Sequence, residues 1–388
     1  MNSWPHYDPD EIEAVRAVLA SGRVNYWNGG EGRAFEEEFA AYCGAPYGVA
    51  VANGTLALEL ALHALGISAG DEVVVTPRTF LASASSIVLR GATPVFADVD
   101  ADSQNITPDT VRAVLTERTK AVMPVHLAGW PCDMAGFRAL ADEHGLSLIE
   151  DCSQAHGATY QGYPVGAWGD AAAFSFCTDK IMSTGGEGGM LLLQDEAAWR
   201  RAWSFKDHGK DWDAVYNREH PPGFRWLHES FGTNCRLTEM QAAIGRIQLT
   251  KLEGWLSRRR AHAARLNDAG RAFPALRLTE PPEHVGHAYY KWYAFVRPKG
   301  LRPGWDRDAL VAALQERGVP AMQGICPEVY RERAFEGTGF QPAERLPVAR
   351  ELGETSLMLP VHPTLTEEEV AGFCEGVRAV MGEADAGV

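Results

Sequence analysis

From residue 47 onward, short apolar runs alternate with stretches of helical period, and few folds accommodate that rhythm. Residues 48–52 precede a helical pattern over 55–65, residues 73–76 one over 80–90, and residues 94–97 one over 108–115. The series continues with 121–125, a helical pattern over 133–144, and 147–150. Strand alternating with helix demands right-handed crossovers, so the pattern predicts an α/β fold with a mostly parallel central sheet and helices on both faces. Two further apolar runs, 172–176 and 190–193, are separated by Lys180-Ile181-Met182-Ser183-Thr184-Gly185-Gly186-Glu187-Gly188-Gly189. That segment has no place in a simple strand-helix repeat and reads as functional.

Before the series, Asp8-Pro9-Asp10-Glu11 has the form of a helix start, with Asp8 as N-cap, proline first and Glu11 positioned to close a capping box. After it, residues 238–267 predict one long helix or two in tandem. A strand over 290–296 and helices over 308–317 and 367–381 then form a smaller C-terminal α/β domain. The expected division is a large domain over 1–250 and a small one over 251–388. Arg258-Arg259-Arg260 falls on the connecting helix and reads as a solvated face.

Charge and cysteine usage narrow the function. The formal net charge is −15, from 36 Lys+Arg against 51 Asp+Glu, and a field of that sign repels nucleic acid and anionic lipid surfaces. The 7 cysteines form no C-x-x-C pair, which predicts neither a disulfide framework nor a zinc knuckle. No export signal is visible at Met1-Asn2-Ser3-Trp4-Pro5-His6, and no apolar run approaches the roughly 18 residues of a membrane span. The expected location is the cytoplasm.

Parallel sheets bind ligands beyond the carboxyl ends of their strands, so the polar residues that follow each apolar run carry the chemistry. Asn53-Gly54-Thr55 follows the first strand and opens a helix, where backbone N–H groups and a hydroxyl can hold a phosphate; taken alone, the same residues read as an ordinary N-cap. Asp151 sits at the end of another strand, with Gln154 and His156 in the loop behind it; His156 alone reads as a hydrogen-bonded loop histidine. Lys180 enters the glycine-rich segment after Ser175 and Phe176, where burial would favour the free amine, the nucleophilic form. Pyridoxal phosphate (PLP) uses all three features: a lysine for a Schiff base, a carboxylate for its ring nitrogen and neutral donors for its phosphate. A Rossmann oxidoreductase would need the glycines of G-x-G-x-x-G, which Asn53-Gly54-Thr55-Leu56-Ala57-Leu58 lacks.

With these residues in view, the chain resembles the DegT-type sugar aminotransferases, a PLP-dependent family with the aspartate-aminotransferase fold (fold type I). The matching stretches include Gly32-Arg33-Ala34-Phe35-Glu36, Asn53-Gly54-Thr55, Gly70-Asp71-Glu72-Val73, Glu150-Asp151-Cys152-Ser153-Gln154-Ala155-His156-Gly157, Phe174-Ser175-Phe176 with Lys180, and Gly232-Thr233-Asn234-Cys235-Arg236. The resemblance implies Lys180 as the Schiff-base lysine and Asp151 as the partner of the pyridine nitrogen. It further implies Gly54, Thr55 and Ser175 as phosphate ligands, Phe80 stacked on the ring and Gln154 facing its phenolic oxygen.

In such a family Asn234 reaches the phosphate of the neighbouring subunit's cofactor, which implies a homodimer with shared sites. The implied reaction is amino transfer, with L-glutamate as donor and a nucleotide-linked keto sugar as acceptor; a cyclitol or aminobenzoate-type acceptor and a non-catalytic sensory role are the alternatives. Cys177-Thr178-Asp179 and Ile181-Met182 depart from the residues many relatives place around the lysine. Tyr26, Trp27, Arg225, Arg236 and Lys206-Asp207-His208 are candidates for the substrate rim.

Overall fold

The computed structural model describes residues 4–387. Its centre is a 7-stranded sheet. In chain order the strands are β1 (Tyr47–Val51), β2 (Glu72–Val75), β3 (Thr93–Phe96), β4 (Thr119–Met123), β5 (Ser147–Asp151), β6 (Ala171–Ser175) and β7 (Gly189–Leu193). Across the sheet they lie in the order β1-β7-β6-β5-β4-β2-β3. Neighbours from β3 to β6 run parallel. β7 runs antiparallel to both β6 and β1 because the chain returns from β6 through the glycine-rich segment instead of a helix. Val73, Val74 and Val75 and the whole of β6 and β7 are buried, as expected of strands covered on both faces.

The apolar stripe of the Gly54–Ala64 helix joins Val73, Ile149, Ala173 and Leu191 in a core on one face of the sheet. On the other face Phe35, Phe39, Phe174 and Phe176 pack with Leu252 and Leu256. The predicted helix start at Asp8 is present: the Glu11 carboxylate accepts from the Asp8 N–H at 2.8 Å and the helix covers Pro9–Ser21. Phe80 lies just before its helix, which covers Ala82–Leu89, and the next predicted helix is short, Pro108–Arg112. Among the elements with no counterpart in the sequence reading are the helices Glu31–Cys43 and Glu196–Lys206 and the strand Ser356–Pro360.

A single helix, Glu239–Gly270, resolves the choice between one and two. Thr238 and Gln241 cap it reciprocally. Leu252 and Leu256 pack beside the central sheet, whereas Ala263 and Leu266 enter a second core. That core lies against the antiparallel sheet β8 (Leu276–Leu278), β9 (Lys291–Val296) and β10 (Ser356–Pro360) and the helices Arg307–Glu316 and Glu367–Ala384. The arginine run on the long helix is not wholly solvated, because Arg259 is only 1% exposed. All the cysteines are free. Among the described residues no helix is long and apolar enough to cross a membrane.

Candidate active site

The carboxyl ends of β1, β5 and β6 open onto a cavity of about 770 Å³. Gly54, Thr55, Phe80, Asp151, Gln154, Ser175 and Lys180 all line it. Asn234 is the exception among the predicted site residues: it is exposed and lies outside this cavity.

β5 delivers Asp151 to the sheet edge, 4% exposed. Its Oδ2 accepts from the Ser83 hydroxyl at 2.7 Å and its Oδ1 from the Ser153 N–H at 3.1 Å. Ser83 in turn lies 2.9 Å from the Thr79 hydroxyl, so the carboxylate is held by neutral donors that leave its charge uncancelled. Sequence reasoning missed Ser83 and Thr79; hydroxyls four apart, straight after a buried strand, were the available signal. Gln154 accepts from the Ala128 N–H at 2.9 Å through its Oε1, which leaves its NH2 as the free end.

The turn after β1 is shaped by close approach. The Asn53 side chain caps the helix by accepting from Leu56 N–H at 3.0 Å, while the N–H groups of Gly54 and Thr55 precede any intrahelical acceptor. A Cβ on Gly54 would stand 2.5 Å from Ser175 Cβ, so only glycine lets β6 pack against this helix end. The result is a concave patch of backbone donors at the positive end of a helix, beside a serine hydroxyl.

Lys180 stands on the loop between β6 and β7. Phe176 and Gly188 close that loop with a 2.8 Å backbone bond, and Gly185 and Gly186 take positive φ angles of 81° and 112°. The long helix anchors it: Gln248 Oε1 accepts from Ser183 N–H, and Gln241 Nε2 donates to Glu187 O, both at 2.8 Å. Lys180 Nζ lies 3.8 Å from Asp179 Oδ1 and 5.1 Å from the Tyr290 ring centroid. The Tyr290 hydroxyl donates to Asp179. Burial pushes Asp179 up, but Lys180, that hydroxyl and Lys291 together hold its carboxyl below the usual range. Burial, then Asp179, pushes the Tyr290 phenol well above its ordinary value. Asp179, Tyr290 and Lys291 line the cavity and were not among the predicted site residues; the last two sit at the start of β9, where a strand pattern gives no hint of a ligand.

Other expectations are corrected. His156 is fully buried between Phe174 and Phe176, each ring 5.4 Å away, and neither ring nitrogen has a hydrogen-bond partner of good geometry. Burial, then the Lys180 charge, pushes it down to about 3. The rim candidates do not meet this cavity. Tyr26 donates to Glu36 at 2.9 Å, and Lys206 Nζ lies 3.3 Å from the same carboxylate and 3.8 Å from the Tyr26 ring centroid. Trp27 and Arg236 both donate to buried Asp207, at 2.7 and 2.8 Å. These residues form an internal ionic network. Arg225 and His208 are exposed elsewhere.

The donor set fits PLP. A lysine amine and a buried carboxylate share one cavity, and the cradle beside Gly54 is one that any Cβ would fill. A mostly parallel sheet offering that pair at its carboxyl edge is the arrangement of a PLP-dependent enzyme. Comparison of the whole chain narrows the class: it belongs to the DegT/DnrJ/EryC1/StrS aminotransferase family, whose model matches residues 5–378. It is similar to an aminotransferase from Psychrobacter cryohalolentis, at a TM-score of 0.96 and 52% identity over 98% of each chain. The dTDP-3-amino-3,4,6-trideoxy-alpha-D-glucose transaminase of Streptomyces venezuelae is 37% identical over 366 residues, 94% of this chain and 90% of that protein. The L-glutamine:2-deoxy-scyllo-inosose aminotransferase of Streptomyces fradiae is 40% identical over 334 residues, 84% and 78% of the two chains.

Proposed function

We propose that the protein moves an amino group from L-glutamate to the keto carbon of a sugar carried on a nucleoside diphosphate, in two half-reactions of a ping-pong cycle, during amino-deoxysugar biosynthesis. The observation that carries this reading is the placement of Lys180 and Asp151 on one cavity wide enough for a flat heterocycle and a substrate together. PLP, when bound, supplies the electron sink that lets a proton leave the donor's Cα.

In this reading Lys180 would hold the cofactor covalently through its amine, and the same amine, when free, would carry the proton removed from the donor's Cα. Asp151, fixed by Ser83, keeps a proton on the ring nitrogen. Gly54, Thr55 and Ser175 bind the phosphate with neutral donors, Phe80 covers the ring and the Gln154 NH2 faces its phenolic oxygen. Phe80 is 66% exposed and lines the cavity. Asn234, exposed and outside its own subunit's cavity, serves the partner's phosphate in a homodimer. A nucleotide-sugar acceptor is supported by the Streptomyces venezuelae relative, named for a dTDP sugar. The Streptomyces fradiae relative, named for a cyclitol ketone and L-glutamine, favours a second reading with that acceptor and donor class.

The test is direct. Purified protein should be yellow, bleach with borohydride and, with glutamate, aminate a keto sugar nucleotide from a screened set. Colourless protein that takes up no added PLP would end the aminotransferase reading. Lys180→Ala should lose at least ~10³-fold in turnover, the scale expected of a proton-transfer group that also anchors the cofactor. Full activity in that variant would remove the assigned mechanism alone.

A further inference from the structure

The backbone of Lys180 is held by a segment far from it in sequence. The Trp4 indole Nε1 donates to the carbonyl oxygen of Lys180 at 2.7 Å. Three residues on, the Tyr7 hydroxyl lies 3.1 Å from Ser183 Oγ and accepts from the Gly185 N–H at 3.2 Å. Residues 4–7 thus touch the lysine loop at Lys180, Ser183 and Gly185, where the chain has left β6 and not yet entered β7. That stretch needs outside support. The Lys180 N–H closes a turn onto Cys177 O at 3.1 Å, but residues 177–188 belong to no strand or helix, and Gly185 and Gly186 lie in the left-handed region that only a permissive backbone enters readily.

The segment is itself fixed at both ends. Trp4 meets Trp255 edge to face with ring centroids 5.1 Å apart, and stacks on His362 at 6.4 Å. The Arg259 guanidinium stands over the same indole, 5.2 Å from its centroid. Arg259 Nη1 donates to Tyr290 O at 3.2 Å, and its Nε and Nη2 have no hydrogen-bond partner among the described residues, so the electron-rich ring face is what offsets the buried charge there. Just beyond Tyr7, Lys251 Nζ lies 2.9, 2.7 and 2.8 Å from the carboxylates of Asp8, Asp10 and Glu11 and pins the start of the first helix to the long one. The indole is therefore seated by the long helix and the small domain, and the N–H that it offers Lys180 has a fixed direction.

We propose that residues 4–7 form a strap that fixes the backbone of Lys180, with Trp4 and Tyr7 as positioning residues for its amine. The proposal rests on the transaminase reading above and adds what keeps that amine aligned with Asp151 across the cavity. A lysine amine rides on a flexible four-carbon stem, so one that serves both as covalent anchor and as proton carrier has to swing. Swinging about a fixed Cα returns it to the same two points, whereas swinging on a loose loop does not. Trp4 supplies the fixed point by holding the lysine's own carbonyl, and Tyr7 steadies the glycine turn behind it.

The experiment compares wild type with Trp4→Phe and Tyr7→Phe, which keep an aromatic ring in each place and remove the polar atom. Hydrogen exchange of the PLP-free protein, read by mass spectrometry on peptides covering 177–188, should quicken at least ~5-fold in each variant, the scale of one net hydrogen bond, with peptides of β4 and β5 unchanged. In the PLP-loaded enzyme kcat should fall about 10-fold with both KM values within about twofold, because a reacting group set slightly out of place loses rate without losing ligand contacts. Loop exchange equal to wild type would overturn the proposal. So would a rise spread evenly over loop and sheet, the mark of a merely structural contact, or a faster loop with kcat unchanged. Absorbance of PLP added to wild type reads the transaminase proposal separately: protein that takes up none loses the reaction, while loop exchange still decides the strap.

Discussion

Charges at the site are governed by which groups are left without partners. Asp151 accepts only from neutral donors, the Ser83 hydroxyl and the Ser153 N–H, and among the described residues no cation pairs with it. His156 is the opposite case: burial, then the Lys180 charge, outweigh a weak backbone contact from Ser175, and its value falls to about 3 from 6.5. A depressed histidine contributes its stability above pH 6.5 and loses it as pH falls, because the unfolded chain then binds the extra proton. The loss runs at about 1.4 kcal/mol per pH unit until the buried ring itself titrates near 3. His156→Leu should therefore lose less Tm between pH 7 and pH 5 than wild type, as thermal melts at the two values would read. An equal drop would mean that the ring finds a partner in solution. Lys180 and Asp151 were legible in the sequence because each follows a buried run at a strand's end. The Arg259 environment was not, since its neighbours Trp4, Tyr290 and His362 come from distant segments, and an arginine between two arginines looks solvated.

The strands of the central sheet were legible as elements because burial on both faces makes them uniformly apolar. Ser356–Pro360 escaped notice for the same reason that it is stable: Leu357-Met358-Leu359 is short and apolar throughout, a pattern that periodicity cannot tell from a helix fragment. Glu31–Cys43 lies before the strand-helix series, and three consecutive acids, Glu36, Glu37 and Glu38, interrupt its apolar stripe; Glu36 is buried and meets Lys206, 170 residues away. The contact between the Gly54 helix end and β6 yields a prediction at this scale. Gly54→Ala puts a methyl 2.5 Å from Ser175 Cβ, so helix and strand must part. A cost of about 1–3 kcal/mol, the usual range for overpacking, should appear as a lower Tm together with a weaker PLP dissociation constant. Unchanged cofactor affinity would show that this turn is not the phosphate seat.

At the scale of the molecule, Phe224, Trp226 and Phe231 are 75%, 79% and 101% exposed, on the segment that ends at Asn234. An apolar patch next to a proposed shared residue is what a subunit interface requires. Sedimentation should give a dimer. Mixing Lys180→Ala with Asn234→Ala subunits should restore about a quarter of wild-type activity, since half the dimers are mixed and each of those has one intact site. Activity no greater than the sum of the two parents would place Asn234 outside the neighbour's site. The long helix has a consequence for motion. Gln241 and Gln248 hold the lysine loop, and Arg259 stands farther along the same rod of 32 residues, about 48 Å from end to end. Breathing between the halves of the subunit leaves the spacing between amine and guanidinium unchanged, as two marks on a ruler stay fixed however the ruler is carried.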